Sequence, residues 1–201
     1  MAFVATAAAV AASCGNSHPE KTIENLKAAV IGETNASAKY QAFSAKASEE
    51  GFYNIARMFA AAAVAEDVHI KNHNAVLMKL GEESFHPVAE EPKVLGTADN
   101  IQSAVEGEHH ENGVMYPNFI TTATREKCAS AVISFTWAKD AEAVHAKLYA
   151  ETLDILMKAG ADTTVLDVWY VCPKCGNLFN TIEGLNSCSL CDTKPASFEK
   201  F

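Results

Sequence analysis

Basic side chains are scarce in this chain: 16 Lys and Arg stand against 25 Asp and Glu, a net charge of −9 over 201 residues. No basic cluster offsets that balance, which argues against a phosphate backbone as partner and so against nucleic acid. Long apolar runs are missing as well. No stretch reaches the roughly 20 residues that cross a bilayer, so the body of the chain is expected to be soluble. Proline is absent from Glu20 through Leu80, which removes the strongest helix breaker from that span. Cysteine is sparse outside one short segment, where four of the six fall within twenty residues. That clustering argues for a metal rather than a disulfide framework. With 49% hydrophobic and 20% charged residues, the composition is that of an ordinary globular domain with a small appendage.

The proline-free span is rich in Ala, Glu, Lys, Leu and Met and reads as two long helices. The first opens near Lys21, with apolar positions at Ile23, Leu26, Val30 and Ile31 forming an inward stripe. Gly51 marks the break, because Gly32 falls inside that stripe. The second helix runs from about Phe52 to Leu80 and stops at Gly81. Residues 82–98, with Pro87, Pro92 and Gly96, have no periodicity. A four-helix bundle with a long crossover between its second and third helices calls for such a connection. Thr97 or Asp99 is placed to cap a third helix reaching about Lys127. A fourth runs from about Ala129 to Lys158 before Gly160. Cys128, in an alanine-rich helical context, reads as a small buried hydrophobe.

Residues 1–18 form an N-terminal extension, 19–160 the bundle, 161–168 a linker and 169–201 a cysteine domain. The extension is apolar and small up to Ser13, then continues Cys14-Gly15-Asn16. It reads either as a lipoprotein signal remnant, with Cys14 as the lipidated residue, or as an alanine-rich helical extension. No Lys or Arg precedes the apolar run, so the usual positive start of a signal is absent.

Acidic residues recur inside the helices at places where a solvated face is not expected. Glu33 lies in the first, Glu66 and His69 in the second, Glu108 and Glu111 in the third, and Glu142 and His145 in the fourth. Each Glu-x-x-His pair shares one helical face. One carboxylate from each of two helices, plus Glu-x-x-His from each of the other two, is a ligand set for two metal ions in a bundle. A second regularity supports it: Glu66 and His69 recur 76 positions on as Glu142 and His145, while Glu33 recurs 75 positions on as Glu108. The chain reads as a duplicated helix pair, each half supplying one ion's ligands. Tyr40 and Tyr116 are 76 apart, so the third helix holds one extra residue between its carboxylate and its tyrosine. A π-bulge would absorb it. Four buried carboxylates demand cations, and oxygen-rich ligation with two imidazoles suits iron or manganese. His73 lies one turn beyond His69, near the site; His109 and His110 read as surface groups.

Cys172-Pro-Lys-Cys175 and Cys188-Ser-Leu-Cys191 form two knuckles twelve residues apart. Four thiolates in a tetrahedron bind zinc or a single iron, and spacing does not separate the two. Trp169, Tyr170, Phe179 and Phe198 are placed to pack around that centre, on small strands.

Together these pieces resemble rubrerythrin over the span from Glu20 to Phe201. The matching residues are Gly32-Glu33 with Tyr40, Glu66-x-x-His69, Gly107-Glu108-x-x-Glu111 with Met115-Tyr116-Pro117, Glu142-x-x-His145, and the rubredoxin-like knuckles. The resemblance implies an all-α ferritin-like four-helix bundle with a C-terminal rubredoxin-like domain, holding three iron ions per chain. It implies a peroxidase that reduces hydrogen peroxide to water, supplied by a reductase or rubredoxin-type donor through the four-cysteine iron. By it, Glu66 and Glu142 bridge the irons, Glu33, Glu108 and His145 are terminal ligands, and Glu111 and His69 alternate on one iron. Tyr40 and Tyr116 hydrogen-bond ligating carboxylates. A head-to-tail homodimer is implied, one chain's cysteine iron facing its partner's di-iron site, in the cytoplasm unless Cys14 marks a cell-envelope lipoprotein. Two departures touch the cysteine site: Ser189 stands where the family usually has proline, and Asn177 where it has an aromatic. The alternatives are a ferroxidase that handles iron, and a non-enzymatic electron-transfer or zinc-binding module.

Overall fold

A computed structural model describes residues 18–201; residues 1–17 of the extension, Cys14 among them, lie outside these. Four long rods make the bundle. They are α1 (Glu20–Glu49), α2 (Tyr53–Lys79), a third rod made of α3 (Thr97–His110), a π-helical turn (Glu111–Met115) and α4 (Tyr116–Arg125), and α5 (Ala129–Ala159). The π turn lies where the 75 and 76 offsets part, so the extra residue is absorbed as the sequence predicts. Helix α1 packs along α2 and α3 along α5, the pairing of a duplicated hairpin. Among the described residues no helix is long and apolar enough to cross a membrane.

The halves also end and begin alike. Gly51, at φ +87, turns α1 into α2, with Phe52 N–H donating to Ala47 O at 2.8 Å and Gly51 N–H to Ser48 O at 3.1 Å. This is a helix stop that needs a left-handed residue. Lys127, at φ +56, makes the same turn between α4 and α5, with Cys128 N–H donating to Ala123 O at 2.8 Å. The third rod therefore ends at Arg125, two residues short of the expected end. Neither Thr97 nor Asp99 caps α3 with its side chain. Instead Glu50 accepts from Thr97 N–H at 2.9 Å and from its hydroxyl at 2.7 Å. Glu126 likewise accepts from Thr22 N–H at 2.7 Å at the start of α1. Carboxylates at helix N-termini satisfy orphan donors and favour the dipole.

The crossover is irregular but held. Asn74 accepts from Phe85 N–H at 2.6 Å and donates to Phe85 O at 3.0 Å, and Asn35 accepts from Glu90 N–H at 2.9 Å. Beyond α5, Asp162 in the linker accepts from Asn54 N–H at 2.6 Å, which pins the linker to the start of α2. The cysteine module then forms an antiparallel three-stranded sheet, order β2-β1-β3, from β1 (Tyr170–Val171), β2 (Leu178–Phe179) and β3 (Glu199–Lys200). Two apolar clusters fill the bundle, one around Phe43, Phe59 and Tyr149, the other around Phe119 and Phe135.

Candidate metal centre

Helical spacing brings Glu33, Glu66, His69, Glu108, Glu142 and His145 to the bundle axis, each no more than 1% exposed. Ligand atoms of Glu33, Glu66, His69 and Glu142 converge in one group, and those of Glu66, Glu108, Glu142 and His145 in a second. Glu66 and Glu142 belong to both, the placement required of bridges. Glu111 belongs to neither. It stands on the π turn beside Gly32, where a built Cβ would lie 4.0 Å from its Oε1. Burial pushes its carboxyl up to about 8, with Glu142 and Glu66 adding repulsion.

The imidazoles carry the argument for a cation. His69 Nε2 lies 3.0 Å from Cys175 O, and His145 Nε2 lies 3.1 Å from Gly176 O. A carbonyl only accepts, so both Nε2 atoms carry hydrogen. Each Nδ1 then faces carboxylate oxygens: His69 Nδ1 is 2.8 Å from Glu142 and 2.9 Å from Glu66, and His145 Nδ1 is 2.6 Å from Glu142. Lone pairs this close repel unless a proton or a metal ion lies between them. Burial opposes a charged His145, yet Glu142 lifts it to about 9; His69 is raised likewise, against its own burial, by Glu142. Burial also opposes ionisation of Glu142, but His69 and His145 hold it below the usual carboxylate range. Glu33 and Glu108 are raised by burial first and by neighbouring carboxylates second. Glu33 Oε2, Glu66 Oε1 and Glu108 Oε2 are buried without a hydrogen-bond partner. Four carboxylates, two imidazoles and these orphaned atoms fit two divalent cations, which would neutralise the layer.

Tyr40 donates to Glu108 and Tyr116 to Glu33, across the bundle in both cases. Hydrogen bonds of this kind orient ligating carboxylates. His73 Nε2 lies 3.1 Å from Tyr116 Oη and its Nδ1 2.8 Å from Ser134 Oγ. His109 and His110 are exposed, as expected of surface groups.

In the cysteine module Cys172, Cys175, Cys188 and Cys191 come together as a buried group. Sγ separations are 3.5 Å for Cys172–Cys191 and for Cys175–Cys188, a pocket that a single tetrahedral ion fits. A hydrogen bond from Cys175 draws the Cys172 thiol down to about 5. Asn177, the departure noted above, is 2% exposed and points its amide at Cys188 Sγ, 4.0 Å away.

A family model described as rubrerythrin matches residues 24–153. The chain belongs to the rubrerythrin family. Nigerythrin of Nitratidesulfovibrio vulgaris is 38% identical over 170 residues, 85% of this chain and 81% of that one. Rubrerythrin-2 of Clostridium acetobutylicum is 34% identical over 184 residues, covering 90% and 96%. A solved structure of nigerythrin in a mixed-valence state superposes with TM-score 0.81 at 36% identity, covering 98% of this chain and 92% of that one. This is a rubrerythrin-family di-iron protein with a ferritin-like bundle and a four-cysteine site.

The head-to-tail pairing implied by the family concerns a second chain and stays a proposal; within this chain the cysteine module packs on its own bundle. Three successive carbonyls of the first knuckle seat on the helices, Lys174 O accepting from Asn72 Nδ2 at 2.9 Å beside the two imidazole contacts. The linker, tied to Asn54, folds the module back. Gly176 permits the approach: it sits at φ +77, and a Cβ there would lie 2.3 Å from His69 Nε2. Sequence alone assigns no role to Gly176, Asn72 or Ser134. No spacing marks them, since each acts through a contact made only on folding.

Proposed function

We propose that this rubrerythrin-family protein is a peroxidase that reduces hydrogen peroxide to water, with Glu33, Glu66, His69, Glu108, Glu111, Glu142 and His145 holding two irons and the four cysteines a third. The observation that carries the reading is the seating of the first knuckle on the imidazoles. Cys175 is joined to His69 through its own backbone carbonyl and one hydrogen bond of 3.0 Å, a short covalent and hydrogen-bonded route between two metal sites. A structural zinc clip needs no such route.

Bound iron would supply the two electrons that the reduction of peroxide needs. Glu66 and Glu142, shared by both ligand groups, would hold both ions, and Tyr40 and Tyr116 orient the outer carboxylates Glu108 and Glu33. Burial of the whole layer excludes bulk water and strengthens each electrostatic contact. Glu111, outside both ligand groups and partly buried on the π turn, would be the carboxylate that moves in, the part the family resemblance gives it opposite His69.

The test is steady-state consumption of hydrogen peroxide by the iron-loaded protein with a reduced rubredoxin-type donor, with iron content measured before and after. Peroxide removed at two electrons per molecule with iron retained is the expected result. Donor-independent oxidation with net iron uptake would mean a ferroxidase, and no oxidation by peroxide would leave a binding module.

A further inference from the structure

We infer that Ser134, His73 and Tyr116 form a directed proton path from a surface cleft between α2 and α5 to Glu33 at the metal centre. The inference rests on the peroxidase reading, because reducing one peroxide to two waters consumes two protons as well as two electrons, and a buried site must import them.

The direction follows from donor counting. Glu33, ionised as a carboxylate holding a cation is, can only accept, so Tyr116 spends its only hydrogen on it; the Tyr116 oxygen then accepts from His73, which fixes the hydrogen of His73 on Nε2, 3.1 Å away. His73 Nδ1 is then a bare acceptor, and Ser134 donates to it at 2.8 Å. Every hydrogen in the chain points towards Glu33. His73 is fully buried, and burial lowers its pKa to about 3, so the ring stays neutral with one N–H and one lone pair, as a relay needs. Ser134 lines a cleft of about 240 Å³ with Asn72, Lys79, Ser130 and Trp137, and the exposure of Lys79 opens that cleft to solvent.

A proton entering at Ser134 passes to His73 Nδ1, the Nε2 hydrogen passes to Tyr116, and the Tyr116 hydrogen passes to the Glu33 carboxylate. No bond other than O–H and N–H changes, and no electron moves. Each passage leaves the ring protonated on Nδ1, so the path delivers one proton, half of what the reduction consumes, before the tautomer resets. The other half of the bundle has no equivalent. The positions matching His73 and Ser134 are Tyr149 and Met58, both fully buried in an aromatic cluster with Phe43 and Phe59.

Two measurements test the path. In the full-length zinc-loaded protein, which is diamagnetic and redox-inert, nitrogen-15 NMR should find His73 as the Nε2–H tautomer; an Nδ1–H ring would reverse the chain and overturn the inference. In the reduced iron-loaded protein, His73→Gln keeps both hydrogen bonds but transfers protons poorly, and Ser134→Ala removes the entry donor. His73→Gln is expected to slow peroxide-driven oxidation by about 100-fold and to enlarge the solvent deuterium effect, with the visible spectrum unchanged. Parent-like rates in both variants would overturn the path. If peroxide failed to oxidise the parent, the peroxidase reading would fall, and the tautomer would still decide the chain's direction.

Discussion

The two halves of the bundle carry matching carboxylates and histidines in different surroundings. Around Tyr40 lie Phe43, Phe59 and Tyr149, with ring centroids 5.4–6.2 Å apart; around Tyr116 lie Phe119, Phe135 and His73, at 5.3–6.2 Å. The rings correspond at a spacing of 76 until Tyr149 meets His73. The carboxylate layer stays symmetric because two equivalent cations demand it. The flanking cores are free to diverge, and one became dry while the other gained a polar chain. The third rod also gained Glu111, where α1 has Ala36 at the corresponding place.

The largest effects should come from breaking the shared layer. Glu142→Ala or Glu66→Ala removes a residue common to both ligand groups, and metal analysis is expected to find the bundle empty of both ions. Glu33→Ala or Glu108→Ala strips one group only, leaving about one bundle ion per chain. Equal losses in all four variants would contradict the division into two halves. Next comes Gly176→Ala, which pushes the knuckle off both imidazoles at once. Transfer from the cysteine site to the bundle should fall by about 100-fold or more, measured by stopped-flow reoxidation, with metal content unchanged.

A pH effect follows for the metal-free chain. Glu33, Glu108, Glu111 (to about 8) and His145 (to about 9) all have raised values in the fold. Groups with raised values bind more protons folded than unfolded, so they stabilise fully below their unfolded values and lose that contribution as pH rises through the folded ones. Thermal unfolding should therefore show the metal-free protein losing stability from about pH 4.5 to about pH 9. Metal loading should flatten that slope, because the cations replace the protons.

The smallest effect compares the two turns. Lys127 holds a left-handed conformation that Gly51 adopts without cost in the other half. Lys127→Gly should stabilise the loaded protein by about 1 kcal/mol and Gly51→Ala should destabilise it by a similar amount, read from denaturant midpoints.

The convergence of these carboxylates and imidazoles is legible in the sequence because helical period and duplication both leave marks there. Glu66-x-x-His69 and Glu142-x-x-His145 are recognisable by spacing alone, and the one-residue mismatch before Tyr116 pointed to the π turn. The helix caps were not legible. Glu50 and Glu126 act on helix starts 47 and 104 positions away in the chain, and no local pattern says which carboxylate reaches which N–H. The docking of the knuckle is hidden for the same reason: nothing near Gly176 in the sequence says that His69 will lie beside it. Helical spacing sets His73 one turn beyond His69, but its role depends on Ser134, 61 positions on. Asn177 departs from the family pattern, and the structure buries it with its amide 4.0 Å from Cys188 Sγ, a contact that would tune a thiolate-bound metal.

The contacts from Cys175 and Gly176 to the two imidazoles join the candidate metal sites within one chain, and one experiment follows that joining directly. The iron-loaded protein should be fully reduced without oxygen, given one equivalent of hydrogen peroxide, and followed through the visible spectrum. The account predicts fast oxidation of the bundle irons, followed by the ferric colour of the cysteine site as it refills them, at a rate independent of protein concentration. A cysteine site that stayed colourless, or whose colour returned only as fast as collisions between molecules allow, would contradict it.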